Sequence, residues 1–343
     1  MMTLGTFGQR NAPCSCQEAD RADGLHFGVD VVVIGLNEED NLANSLRSVR
    51  ESSVVAHNVV YVDSGSTDSS IGIAAMFPEV TVLTARAAPA HPLTAGQARN
   101  LGLAVCTSPL VQFLDADMTL DRDWLSAACS ALGQHPGAAC VCGRVRERRA
   151  QASTMAWVIS AEWEFGPAGV VSAPGGGGLF DRRALSAVGG YSETLKAAEE
   201  TELGARLRSA GHSIWRADAV MAHHDLGDFG VRETARRAMR TGRARAQLIQ
   251  ANRAAWLRAS LLRAELHSAA LVLMALAAFF GGRRSRIVSV SIAVAATARL
   301  TERRYRMTRD LRRSLIWSLT TYGAAPFSTI GLIWELCKAA RRP

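Results

Sequence analysis

Four short, unbroken apolar runs recur in the first third of the chain: Val31-Val32-Val33-Ile34, Val59-Val60-Tyr61-Val62, Val80-Thr81-Val82-Leu83 and Leu110-Val111-Gln112-Phe113-Leu114. Continuous rather than alternating, they suit strands covered on both faces. The segments between them read as helices. Leu42, Leu46 and Val49 recur at helical spacing, a second helix starts near Asp68, and residues 94–106 form a third. Asn37 is a candidate N-cap with acidic residues in the turn after it, and Asp121 caps a further helix. Strand–helix alternation with short connections predicts an α/β, Rossmann-like, doubly wound and mostly parallel sheet.

Ligands of such sheets bind at the carboxyl ends of the strands. Three acidic features fall there: Glu38-Glu39 behind Asn37, Asp63, and Asp115-Ala116-Asp117. Carboxylates two residues apart at a strand end offer hard oxygen ligands to Mg²⁺ or Mn²⁺, and such an ion offsets the charge of a departing diphosphate. Read blandly, the same two acids are solvated loop residues. Asp63 suits a nucleobase or ribose, or the capping of its own turn, and Glu38 suits a ligand or the helix dipole alone. Glu199-Glu200, opening a helix over 199–210, is a candidate general-base pair, since adjacent like charges can raise a pKa; the alternative is two favourable first-turn acids.

Gly175–Gly178 is not a phosphate-binding loop, because the Lys-Ser/Thr pair is missing; it lets backbone approach a sugar or simply connects. His223-His224-Asp225 can add a metal ligand, but adjacent strand residues face opposite ways, so at most one histidine reaches a site. His223 is the one assigned. Arg236, Arg237 and Arg240 suit phosphate or a solvated helix face.

Charge divides the chain. Residues 1–231 carry 17 Lys and Arg against 26 Asp and Glu, and residues 232–343 carry 22 against 5. The expected organisation is a loosely ordered 1–27, a catalytic domain over 28–231 and a basic helical, membrane-associated region over 232–343. In that region an amphipathic helix is expected over 232–263. Residues 266–282 are a borderline span, and the 21 uncharged residues Ser314–Trp334 match the length of a crossing. A basic tail suits nucleic acid or anionic lipid; arginine clusters beside apolar runs favour the cytoplasmic leaflet, so lipid and no nucleic acid is expected. Without a signal peptide at the N-terminus, the catalytic part is expected to face the cytoplasm at the inner membrane. The seven cysteines, odd in number and partly inside apolar runs, read as incidental thiols.

Residues 31–42, Val-Asp-Ser-Gly-Ser-Thr-Asp (62–68), Ala-Arg-Asn-Leu-Gly (98–102) and Phe-Leu-Asp-Ala-Asp (113–117) resemble, in order, the nucleotide-binding half of family 2 glycosyltransferases. Residues 177–190 and 199–207 resemble the acceptor half. The resemblance implies a GT-A fold and inverting transfer from a nucleoside diphosphate sugar to a hydroxyl of a lipid-linked or polysaccharide acceptor. It places Asn37, Glu38, Asp63, Arg99, Asn100 and Asp115 at the nucleotide, Asp117 as main metal ligand with Asp115, and the base at Glu200 beside Glu199. Glu200 stands where an aspartate is usual. Rival readings are a transferase loading sugar onto polyprenyl phosphate, a nucleotidyltransferase, and a non-catalytic membrane scaffold.

Overall fold

The computed structural model describes residues 5–7, 28–84, 91–175, 177–227, 229–250, 273, 277 and 279–340. The chain divides into two compact units. One comprises residues 1–145, 168–194 and 199–224, and the other 146–167, 195–198 and 225–343. This division does not coincide with the boundary at 231 read from charge.

The first unit is built on one sheet. Strands β2 (Val29–Gly35), β3 (Asn58–Asp63), β4 (Val80–Thr84) and β5 (Leu110–Asp115) are the four apolar runs, and β2–β3, β3–β4 and β2–β5 pair in parallel. Val31, Val32, Val33, Tyr61, Val62, Val111 and Phe113 are fully buried, as continuous apolar runs require. Register brings the strand ends level: Ile34 pairs with Asp115 on one side, and Gly35 with Asp63 on the other.

The expectation of a mostly parallel sheet is corrected on both flanks. β1 (Gly5–Phe7) pairs antiparallel with β4, so part of the expected loose N-terminus is a strand; residues 1–4 and 8–27 lie outside those described. Beyond β5 come β9 (Gly178–Asp181), β7 (Ala138–Glu147), β10 (Ser213–His224) and β6 (Met118–Leu120), with β8 (Gly169–Val170) also on β10. The pairs β5–β9, β7–β9, β10–β6 and β10–β8 are antiparallel, so the sheet is mixed. Antiparallel neighbours need no right-handed crossover helix between them, so beyond β5 helices no longer alternate one for one with strands.

Helices α1 (Leu42–Arg50), α2 (Ser70–Ala74) and α3 (Ala95–Val105) follow β2, β3 and β4, and α4 (Trp124–Gln134) follows β6. Asn41, not Asn37, is the N-cap of α1, and Asp123, not Asp121, that of α4. The start of α3 is a capping box: the Gln97 N–H donates to Thr94 Oγ1, and the Thr94 N–H to Gln97 Oε1. The helix lies tight on β2, where a Cβ on Gly102 would come within 2.3 Å of Val32 Cγ1. Helices α6 (Arg182–Ala187) and α7 (Glu199–Ser209) complete this unit.

The second unit is helical: α5 (Thr154–Glu164), α8 (Val231–Gln250), α9 (Arg283–Thr308) and α10 (Leu311–Ala340). The expected helix over 232–263 is seen as far as Gln250, and the remainder lies outside the described residues, as does most of 266–282. Val158, Ala161 and Trp317 form one apolar cluster. The buried Arg313 of α10 donates to the Trp157 carbonyl and the Ser160 hydroxyl of α5. Among the described residues no helix is long and apolar enough to cross a membrane, which corrects the crossing expected at Ser314–Trp334. That run is uncharged but not apolar. Ser314, Ser318, Thr320, Thr321, Ser328 and Thr329 punctuate it, and Ser314 and Ser318 are fully buried inside the unit rather than turned outward.

Candidate active site

β5 carries the acidic triplet to the end of the parallel strands, as expected. Ala116 is buried beneath it and its N–H donates to the Ile34 carbonyl, which fixes Asp115 and Asp117 on either side. Asp117 Oδ2 lies 3.1 Å from His224 Nε2. Its Oδ1 is buried and has no hydrogen-bond partner. Asp115 Oδ1 accepts from Arg99 Nη2 at 2.8 Å.

Arg99, expected at the nucleotide, is buried among the acids. Its side chain is 3% exposed, and its other terminal nitrogen, Nη1, donates to Glu199 Oε1 at 2.8 Å, while Nη2 stands 3.8 Å from Glu200 Oε1. One guanidinium from α3 therefore ties the end of β5 to the start of α7. The ring of Tyr191 lies 5.1 Å below its Cζ. Glu199-Glu200 is thus not a bare pair of like charges, because Glu199 belongs to Arg99. Glu200 Oε1 also accepts the Gly177 N–H at 3.0 Å. Gly177 has φ +109°, and a Cβ there would meet the Phe113 carbonyl at 2.7 Å, so only glycine delivers that N–H. This gives one of the expected glycines a definite task; Gly176 lies outside the described residues.

Acid outweighs base here. Asp115 is pushed above the ordinary carboxylate range by burial and by the charges of Asp117 and Glu199, against the pull of Arg99. Glu38 is raised as well, by burial first and then by Asp117, Asp115 and Asp68, although Asn41 donates to it. A surplus of carboxylates around an unpartnered buried oxygen is a setting that a divalent cation would relieve. The donor set fits Mg²⁺ or Mn²⁺, with Asp117 and Asp115 as the oxygens to hold it.

Several of the expected site residues also have partners within the protein. His223 does not join the acids; its Nε2 lies 3.3 Å from Asp121 Oδ2, and the neighbouring His224 faces Asp117 instead. Among the described residues no three His, Cys, Asp or Glu side chains already form a metal cluster. Asp225 pairs with Arg149 in the helical unit. Asp63 is 1% exposed, its Oδ2 accepts the Gly65 and Ser66 N–H groups, and its Oδ1 the Tyr61 hydroxyl. It caps its own turn. Asn37, left-handed at φ 57°, accepts the Thr67 N–H on its side chain and so binds one loop to the next. Asn100 holds Tyr191 at both its N–H and its carbonyl and also donates to Glu193, and so shapes the 191–193 turn. Sequence reasoning missed Tyr191 and, of the two adjacent histidines, assigned His223; the choice between them needed strand register.

Residues 30–177 match the family model described as Glycosyl transferase family 2. The pre-mycofactocin glycosyltransferases of two Mycobacterium tuberculosis strains are 29% identical over 219 residues, an alignment covering 58% of this chain and 43% of theirs. The chain therefore spans less than half the length of these curated relatives. Among solved structures, the mannosyltransferase PcManGT from Pyrobaculum calidifontis, in complex with GDP-Man and Mn²⁺, superposes with a TM-score of 0.62 at 19% identity, covering 90% of this chain and 87% of that one. At that identity the likeness shows a shared fold, and the mixed α/β sheet is GT-A-like.

Proposed function

We propose that this chain is an inverting glycosyltransferase. It moves a sugar from a nucleoside diphosphate sugar to a hydroxyl of a lipid-linked or polysaccharide acceptor at the cytoplasmic face of the membrane. The observation that carries the reading is the unpartnered buried oxygen of Asp117, beside Asp115 and one guanidinium away from Glu199-Glu200. Two relatives named as glycosyltransferases, and a fold neighbour solved with GDP-Man and Mn²⁺, support a nucleotide-sugar donor and a divalent ion.

Asp117 and Asp115 would hold Mg²⁺ or Mn²⁺, which when bound offsets charge on the leaving diphosphate. His224 orients Asp117 from the side away from its unpartnered oxygen. Glu200, steered by the Gly177 N–H, takes the proton of the acceptor hydroxyl as its oxygen attacks the anomeric carbon from the face opposite the nucleotide. The bond to the diphosphate oxygen breaks as the new glycosidic bond forms. Arg99 fixes the two acidic groups relative to each other. Membrane association in this reading is a surface contact. Ile287, Val290 and Val294 of α9 are exposed on one helical face, close in sequence to Arg283, Arg284 and Arg286, a combination suited to anionic lipid.

A screen of nucleotide sugars with Mn²⁺ or Mg²⁺, reading released nucleoside diphosphate, tests the proposal. Metal-dependent release that is lost in Asp117→Asn is expected. Equal release from that variant would rule the assignment out.

A further inference from the structure

The helical unit contains a cavity of about 480 Å³, within the size range of small-molecule sites, roughly 300–1,000 Å³. Its walls come from α5, α8 and α10. On α8 the lining residues are Thr234, Arg237, Ala238, Thr241 and Arg245, a single stripe at helical spacing. The arginine-rich helix thus contributes two arginines to the lining of a half-open cavity.

The polar inventory of this space is donor-heavy. Arg237 gives one terminal nitrogen, Nη2, to Glu162 at 3.2 Å, but its other, Nη1, is buried and unpartnered. Trp317 of α10 also lines the cavity, and its Nε1 is buried without a partner. Arg245 donates to the Ser328 hydroxyl at 3.2 Å. Of the charged groups lining the cavity, two are arginines and one is the Glu162 carboxylate. Buried donors are normally satisfied, and the two residues that carry these orphans both line the cavity, so a ligand rich in acceptors suits it and the charge balance favours an anion. The rest of the lining mixes the hydroxyl-bearing Thr320, Thr321 and Tyr322 with an apolar patch of Val158, Ile159, Ala324 and Ala325.

We propose that this cavity is a second binding site, for a phosphate ester whose oxygens meet Arg237, Arg245 and Trp317 and whose apolar portion lies against the alanine and valine wall. The inference does not depend on the sugar-transfer reading. The source of the phosphate is an amphiphile or a free phosphate, and the probes separate the two.

The test is calorimetric titration of the full chain with decyl phosphate, inorganic phosphate and decanol. Decyl phosphate is expected to bind, and decanol not. Arg237→Gln and Arg245→Gln should each weaken binding at least tenfold, and Ala238→Trp, which fills the cavity without altering charge, should abolish it. Inorganic phosphate binding with the same arginine dependence, as strongly as decyl phosphate, supports the site and assigns it to free phosphate. Binding of neither phosphate, or binding unmoved by Arg245→Gln and Ala238→Trp, overturns the proposal. So does binding lost in Asp117→Asn, which would put the probe at the acidic site. Should an arginine variant misfold by circular dichroism, the wild-type titration and Ala238→Trp decide.

Discussion

His224 Nε2 stands 3.1 Å from Asp117 Oδ2, and the other oxygen of that carboxylate is buried with nothing to bind. The pair splits Asp117 into an anchored half and an available half. Replacing the available half should be the more damaging change. Asp117→Asn is expected to lower metal-dependent release of nucleoside diphosphate by at least about a hundredfold. His224→Ala should leave the fold intact and weaken Mn²⁺ affinity by about 10–100-fold, the usual effect of losing a group that orients a ligand. Metal titrations of initial rates separate the two; equal effects on kcat at saturating Mn²⁺ would contradict the division.

Arg99 is fully enclosed and serves Asp115 and Glu199 at once. Removing one partner of a buried ionic cluster strands the others, typically at about 3–5 kcal/mol. Arg99→Met should therefore reduce stability by that order in denaturant unfolding. Adding Asp115→Asn should restore part of the loss, since groups in contact are not additive. Strict additivity of the two substitutions would mean that the ion pair contributes nothing.

Glu199 and Glu200 are neighbours with different occupations. Glu200→Gln is expected to abolish transfer to a hydroxyl acceptor while donor binding, followed by nucleoside diphosphate protection against thermal unfolding, persists. Glu199→Gln should act through Arg99, lowering stability more than it lowers acceptor transfer. Full activity in Glu200→Gln would favour an acceptor that needs no base, such as a phosphate.

Asp30, at the far end of β2, is completely buried. Burial alone would raise its pKa, but the Ser108 N–H and hydroxyl, Asn58 and the Thr107 N–H together hold it below the usual aspartate value. The folded value lies under the unfolded one, so the unfolded chain takes up the proton first. The resulting stability is present above about pH 4 and is lost as pH falls through the folded value. Asp30→Asn should cost about 2 kcal/mol near neutrality and flatten the acid limb of Tm against pH. An unchanged acid limb would remove Asp30 as its source.

The parallel half of the sheet was legible because β2, β3, β4 and β5 are buried on both faces and read as unbroken apolar runs. The antiparallel half was not. β9 is only the four residues Gly178–Asp181, starting on the last glycine of the 175–178 run, and the twelve-residue β10 is interrupted by polar residues rather than built on an unbroken apolar run. At the site, the acids were found because each ends a strand. Their duties were not, because those depend on partners far along the chain. Asp63 is satisfied by its own turn, Asn100 by Tyr191, and Arg99 by acids 16 and 100 residues away.

β10 pairs with β6 so that His224 stands opposite Met118 and His223 opposite Thr119. Successive side chains on a strand face opposite ways. The two adjacent histidines therefore behave like alternative letters in a reading frame, and the pairing register decides which one Asp117 meets. A single-residue insertion or deletion early in β10 is the equivalent of a frameshift: every acid and both histidines would survive in the sequence, yet the site would present the wrong imidazole.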